Sequence, residues 1–109
     1  RILLDECLPA RLRQALPGYE VLTVPRAGWA GVKNGNLLRR IAESGQFGVF
    51  LTMDKSLPHQ QQLAGLPFAV VILRAPSNRF RDTHPLMTEV LRRLGEFRAG
   101  SVYVISSSA

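Results

Sequence analysis

Five short apolar runs recur along the chain: Ile2 to Leu4, Val21 to Val24, Val49 to Leu51, Phe68 to Leu73 and Val102 to Ile105. They have the length of strands and little polar interruption, as expected of strands covered on both faces. The stretches between them carry helical periodicity. Leu8, Leu12 and Leu16 recur every fourth residue while Arg11, Arg13 and Gln14 fall elsewhere, which predicts an amphipathic helix stopped by Gly18. From Asn36 to Ser44, Leu37, Leu38 and Ile41 share one side and Arg39, Arg40 and Glu43 the other, with Asn34 as N-cap and Gly45 as the stop. A weaker helical stretch covers Pro58 to Leu63. The strongest runs from Pro85 to Phe97 on the stripe of Met87, Val90, Leu91 and Leu94. Strands alternating with helices at this spacing predict βαβ units with right-handed crossovers, and so an α/β three-layer sandwich around a mainly parallel five-stranded sheet.

Nothing divides this pattern. There is no internal repeat and no Pro/Gly-rich linker, and 109 residues suit one continuous core rather than two, so residues 1–109 are expected to form a single domain. The serines at 106, 107 and 108 read as a frayed tail. No apolar run approaches the roughly 20 residues of a membrane-spanning helix, and no export signal opens the chain, so a cytoplasmic protein with no membrane association is expected. The lone Cys7 excludes an intrachain disulfide, and with only His59 and His84 beside it no structural zinc site is expected.

Charge adds a hint about partners. Fourteen basic side chains against eight acidic ones leave a formal charge of +6, and all the basic ones except Lys33 and Lys55 are arginines. Arginine's planar fork suits phosphate oxygens, and phosphate neutralisation releases counterions, so a polyanion is favoured. A plain soluble basic surface is the bland alternative.

In open parallel sheets ligands bind beyond the carboxyl ends of the strands, where the strand order reverses. Two of those ends are acidic: the first run leads into Asp5 and Glu6, and the third into Thr52, Met53 and Asp54. If the first and third strands are neighbours, as in a 2-1-3-4-5 order, Asp5 and Asp54 converge. Converging carboxylates repel unless a cation neutralises them, and oxygen donors without a Cys/His cluster select Mg²⁺ or Mn²⁺. The competing readings are ordinary ones: a carboxylate pair at a helix start for Asp5 and Glu6, and a cap before Ser56 for Asp54. Lys33, on a loop between Gly31 and Gly35, could contact a phosphate, as could Arg74 and Arg79 after the fourth strand, with Ser77 and Asn78 between them. Trp29 is expected to pack at the domain edge.

The segments LLDECLP, GWAGVKNGNLL and LTMDKSL together resemble short bacterial PIN-like proteins related to the VapC-type toxins, over nearly the whole chain. PIN-like domains are three-layer α/β nucleases that cut RNA with clustered carboxylates and Mg²⁺ or Mn²⁺, commonly paired with an antitoxin. The resemblance implies Asp5 as the first metal ligand and Asp54 as a later one, with Glu6 beside them in the catalytic set. It departs from the family pattern at Asn36, which stands where the middle helix usually supplies an acid and would join the metal ligands through its amide oxygen. Glu43 and Asp82 are the other acidic residues considered there. The partners implied are RNA, an antitoxin protein and a second copy of the chain. Two other readings stand beside this one: a catalytically degraded PIN-like protein that binds RNA or a protein, and a receiver-like phosphoacceptor domain. The receiver lacks its expected lysine after the fifth strand, where Ser106 follows. A dinucleotide site is not expected, because the turn from Asp5 to Pro9 has no glycines.

Overall fold

The computed structural model describes residues 1–107. Its five strands are β1 (Ile2–Leu4), β2 (Val21–Thr23), β3 (Val49–Thr52), β4 (Ala69–Arg74) and β5 (Val102–Ser106). They form one sheet in the order β2-β1-β3-β4-β5, and every pairing is parallel. The apolar runs thus mark all five strands to within about a residue at each end, and the sheet is wholly rather than mainly parallel. The reason is burial: β1, β3 and β4 each present apolar side chains to both faces, so they read as continuous runs.

Each face has its own core. On one, Ile2, Leu4, Leu51, Val71 and Leu73 meet Leu8, Leu12, Leu16, Met87 and Val90; on the other, Leu3, Phe50, Val70 and Ile72 meet Leu37, Leu38, Ile41 and Leu57. Helices therefore flank the sheet on both sides, in three layers. Trp29 packs edge-on against Phe47 at the margin of the second core, with ring centroids 6.1 Å apart.

The helices differ from expectation in instructive ways. The leucines at 8, 12 and 16 are all buried as the periodicity requires, yet Ala10–Ala15 winds as a 3₁₀ helix rather than an α-helix. Pro17 has no N–H to bond back to Arg13 and pushes Leu16 out of the helical region (φ −123°, ψ 59°), so the last turn closes through the tighter bond from Leu16 N–H to Arg13 C=O. The helix α1 (Asn34–Ser44) begins two residues early, with Lys33 rather than Asn34 as its N-cap, and Gly45 ends it in the left-handed conformation (φ 64°). The weak stretch is the short α2 (Leu57–Gln60). The strong one starts earlier than Pro85 and is segmented: α3 (Phe80–Thr83), a 3₁₀ turn at His84–Leu86, α4 (Met87–Arg93) and a 3₁₀ turn at Leu94–Glu96. Pro85 interrupts the α-helical hydrogen bonding, although the backbone on either side stays right-handed helical.

The crossovers correct another expectation. The β1–β2 connection runs one way across the first face, while β2–β3 and β3–β4 run the other way across the second, which gives all three the same hand. The β4–β5 connection continues in that direction but returns over the first face, where α4 packs with the leucines of the β1–β2 segment. Its hand is opposite, so the four crossovers are not all right-handed. The side-chain amide of Asn78 donates to Cys7 C=O at 2.9 Å and ties the start of this connection to the first face. One consequence is that β5 is not covered on both faces: Val102 and Val104, on the second face, are 37% and 47% exposed. No helix among the described residues is long and apolar enough to cross a membrane. Ser106 and Ser107 belong to or adjoin β5 rather than a frayed tail, and Ser108 lies outside the described residues.

Candidate functional site

Because β1 and β3 are adjacent and parallel, their carboxyl ends open side by side where the chain first passes to one side of β1 and then to the other. A cavity of about 530 Å³ occupies this point. Asp5, Glu6 and Cys7 enter its wall from β1, Thr52, Met53 and Asp54 from β3, Lys33 and Asn34 from the start of α1, and Leu37, Leu38, Phe50 and Leu57 supply its apolar side.

Thr52 organises the acidic side. Its side chain is fully buried, and its hydroxyl donates to Asp5 Oδ2 at 2.6 Å while accepting the Asp54 N–H at 3.1 Å. One hydroxyl thus links the ends of the two strands. Asp5 Oδ1 accepts the Glu6 N–H at 2.7 Å, so the carboxylate is held by two bonds, one from the last residue of β3 and one from the turn that follows β1. This is not a helix-start arrangement: the 3₁₀ helix begins at Ala10, after Pro9, with no acidic residue in its first turn. Asp54 is not the cap of α2, whose N-cap is Ser56, but it closes the turn before it: its Oδ1 accepts both the Ser56 N–H at 3.0 Å and the Ser56 hydroxyl at 2.6 Å. The Glu6 carboxylate accepts the Gly31 N–H at 3.0 Å and so holds the Gly31-to-Lys33 loop against the mouth. Cys7 is exposed as a residue, but partial burial in the wall, followed by the negative charge of Asp5, pushes its thiol above the ordinary value.

The sequence-derived candidates divide three ways. Asp5, Glu6, Asp54 and Lys33 all line this cavity. Asn36 does not: it is exposed on the first turn of α1 and outside the wall, and Asn34, two residues earlier, takes its place. Asn34 adopts a left-handed backbone (φ 55°), which asparagine tolerates better than most residues. Arg74 lies at the end of β4 in a separate concavity, and Arg79 is the exposed N-cap of α3. Asp82 is engaged by the Ser77 hydroxyl, and Glu43 is exposed on α1; neither lines the cavity. In the sequence Thr52 stands out only as the neighbour of Asp54. Its signal was a hydroxyl residue at the last position of a buried strand.

The wall carries oxygen donors that could serve a hard cation, namely the carboxylates of Asp5, Glu6 and Asp54, the Asn34 amide and the Thr52 hydroxyl, together with the Cys7 thiol and the Lys33 ammonium. Among the described residues no three His, Cys, Asp or Glu side chains are grouped as a ready-made metal cage. An Mg²⁺ ion needs fewer protein ligands than such a cage, since it is commonly held by one or two carboxylates and completed by water and substrate phosphate. Comparison of the chain with models of known protein families, with curated proteins and with solved structures returns no match.

Proposed function

We propose that the acidic cavity is the catalytic centre of a PIN-like ribonuclease dependent on Mg²⁺ or Mn²⁺, acting as the toxin-like member of a toxin–antitoxin pair. One observation carries the reading: Asp5 and Asp54, from neighbouring parallel strands, enter one open cavity and are linked through the Thr52 hydroxyl. Their carboxylates would hold the cation. When bound, such an ion activates water and offsets the charge that develops on a phosphodiester. The chain's own residues do the rest. Thr52 and the Glu6 amide keep Asp5 in one orientation. Lys33, the only basic residue in the wall, is placed to draw in a phosphate. Glu6 secures the loop that carries Lys33 through the Gly31 amide. Leu37, Leu38, Phe50 and Leu57 give the cavity an apolar part beside its carboxylates.

The test is cleavage of a mixed panel of structured and single-stranded RNAs with Mg²⁺ or Mn²⁺, against an EDTA control and Asp54→Asn. Activity lost in both controls supports the reading, and a folded wild type that cleaves nothing counts against it.

A second reading is favoured by the position of Asn36 outside the wall: a PIN-like protein that binds RNA or a protein partner without cutting. RNA binding that needs no metal and yields no product would select it. The receiver-like alternative shares the strand order, but β5 leads into Ser106 and Ser107, and the only lysines are at 33 and 55.

A further inference from the structure

A second concavity opens on the same edge of the sheet, beyond the ends of β3, β4 and β5, with a volume of about 360 Å³. Lys55, Arg74, Ser106 and Ser107 line it, with Met53 and Pro76 among its apolar residues, and no carboxylate of the described residues does. Met53 belongs to both walls, so the basic concavity lies directly beside the acidic one. The ion pairs among the described residues are Arg1–Glu20 and Arg92–Glu89, so neither Lys55 nor Arg74 forms an ion pair with a described carboxylate. Neither side chain donates a hydrogen bond within the described residues. Two cations without an ion pair among the described residues, one from the β3–α2 turn and one from the end of β4, thus line a small hollow with two serines.

We infer that this hollow is an anion subsite that takes a backbone phosphate of a single-stranded polynucleotide whose neighbouring phosphodiester lies in the acidic cavity. The inference rests on the nuclease reading for the direction of the strand, since the two hollows follow one another along the carboxyl edge from β1 to β5. Arg74 offers a planar fork to two phosphate oxygens, Lys55 a point charge, and the serines short hydroxyl donors. Arg79, by contrast, stands outside both walls and belongs to neither hollow. The shared Met53 gives the strand an apolar ridge to cross between a site that repels phosphate until a cation is present and one that attracts it outright.

Fluorescence anisotropy with a labelled single-stranded oligoribonucleotide in EDTA tests this without depending on cleavage. The wild type, Arg74→Gln, the double variant Lys55→Gln/Arg74→Gln and Arg98→Gln are titrated at several salt concentrations. Arg98→Gln removes the same single charge at the opposite edge, just before β5. The double variant is expected to bind about tenfold more weakly at physiological salt. Its log–log salt slope should be shallower by about 0.7 or more, the share of one single-strand phosphate contact. Arg98→Gln should match the wild type. Wild-type affinity and slope in a folded double variant would overturn the inference. So would inorganic phosphate displacing the oligonucleotide at equal concentration, because the hollow would then be a site for a free anion. Metal-dependent cleavage lost in Asp54→Asn but kept in the double variant at saturating RNA would leave the nuclease reading standing by itself.

Discussion

The two hollows on the carboxyl edge share Met53 and differ in almost everything else. The one at β1 and β3 gathers Asp5, Glu6 and Asp54 with a single lysine; the one at β3, β4 and β5 gathers Lys55 and Arg74 with no carboxylate among the described residues. The side chains of Asp5 and Asp54 are held by specific bonds from Thr52, Glu6 and Ser56, whereas those of Lys55 and Arg74 make no hydrogen bond among the described residues. Positions fixed by hydrogen bonds suit a group that must present oxygens in one geometry, and mobile long side chains suit a charge that has only to meet a phosphate. The contrast teaches that net charge, +6 over the chain, hides a local division of labour along a single sheet edge.

The largest effect should separate the hollows by kind. Asp5→Asn or Asp54→Asn is expected to lower metal-dependent cleavage at least about 100-fold, measured as initial rate at saturating RNA, because each removes one charge of a two-carboxylate site. In EDTA the same variants should bind RNA somewhat more tightly than wild type, opposite in sign to the loss expected for the Lys55 and Arg74 changes. Weaker binding in both sets would break the comparison. Next comes a change remote from either hollow. Gly100 has φ 79°, and a Cβ there would lie 2.4 Å from Ala64 C=O, so Gly100→Ala should cost about 2 kcal/mol or more in urea unfolding. Its RNA affinity per folded molecule should stay at the wild-type value. Thr52→Val keeps the shape but removes the hydroxyl between Asp5 and Asp54, and should cost roughly 1–2 kcal/mol. It should also reduce cleavage, while leaving the basic hollow's salt slope unchanged. The smallest effect is thermal: Mg²⁺ at about ten times its Kd should stabilise the wild type by about 1.4 kcal/mol. That is several degrees in Tm for a domain of this size, and the shift should vanish in Asp5→Asn.

Much of this was legible in the residues. The strands could be read because the sheet's centre is buried on both sides, and Asp5 and Asp54 could be placed because the 2-1-3-4-5 order puts the first and third strand ends together. The tight winding of Ala10–Ala15 was less legible, since it depends on Pro17 overriding a leucine spacing that also fits an α-helix. Asn36 and Asn34 are two residues apart, and which one meets the cavity depends on where α1 begins, the least determined feature of a helix in sequence. The reversed last crossover and the pairing of Lys55 with Arg74 come from tertiary packing, across α4 in the first case and across three strand ends in the second. No local pattern encodes either.

The central claim is that Asp5 and Asp54 act as one cation site. Titration of Mn²⁺ into the wild type, Asp5→Asn, Asp54→Asn and the double variant, followed by loss of the free-ion paramagnetic resonance signal, tests it without RNA or turnover. The account predicts one site in the wild type, weakened at least about tenfold by either single change and no further by the second. Equal Mn²⁺ binding in all four proteins, or none in a folded wild type, would contradict it.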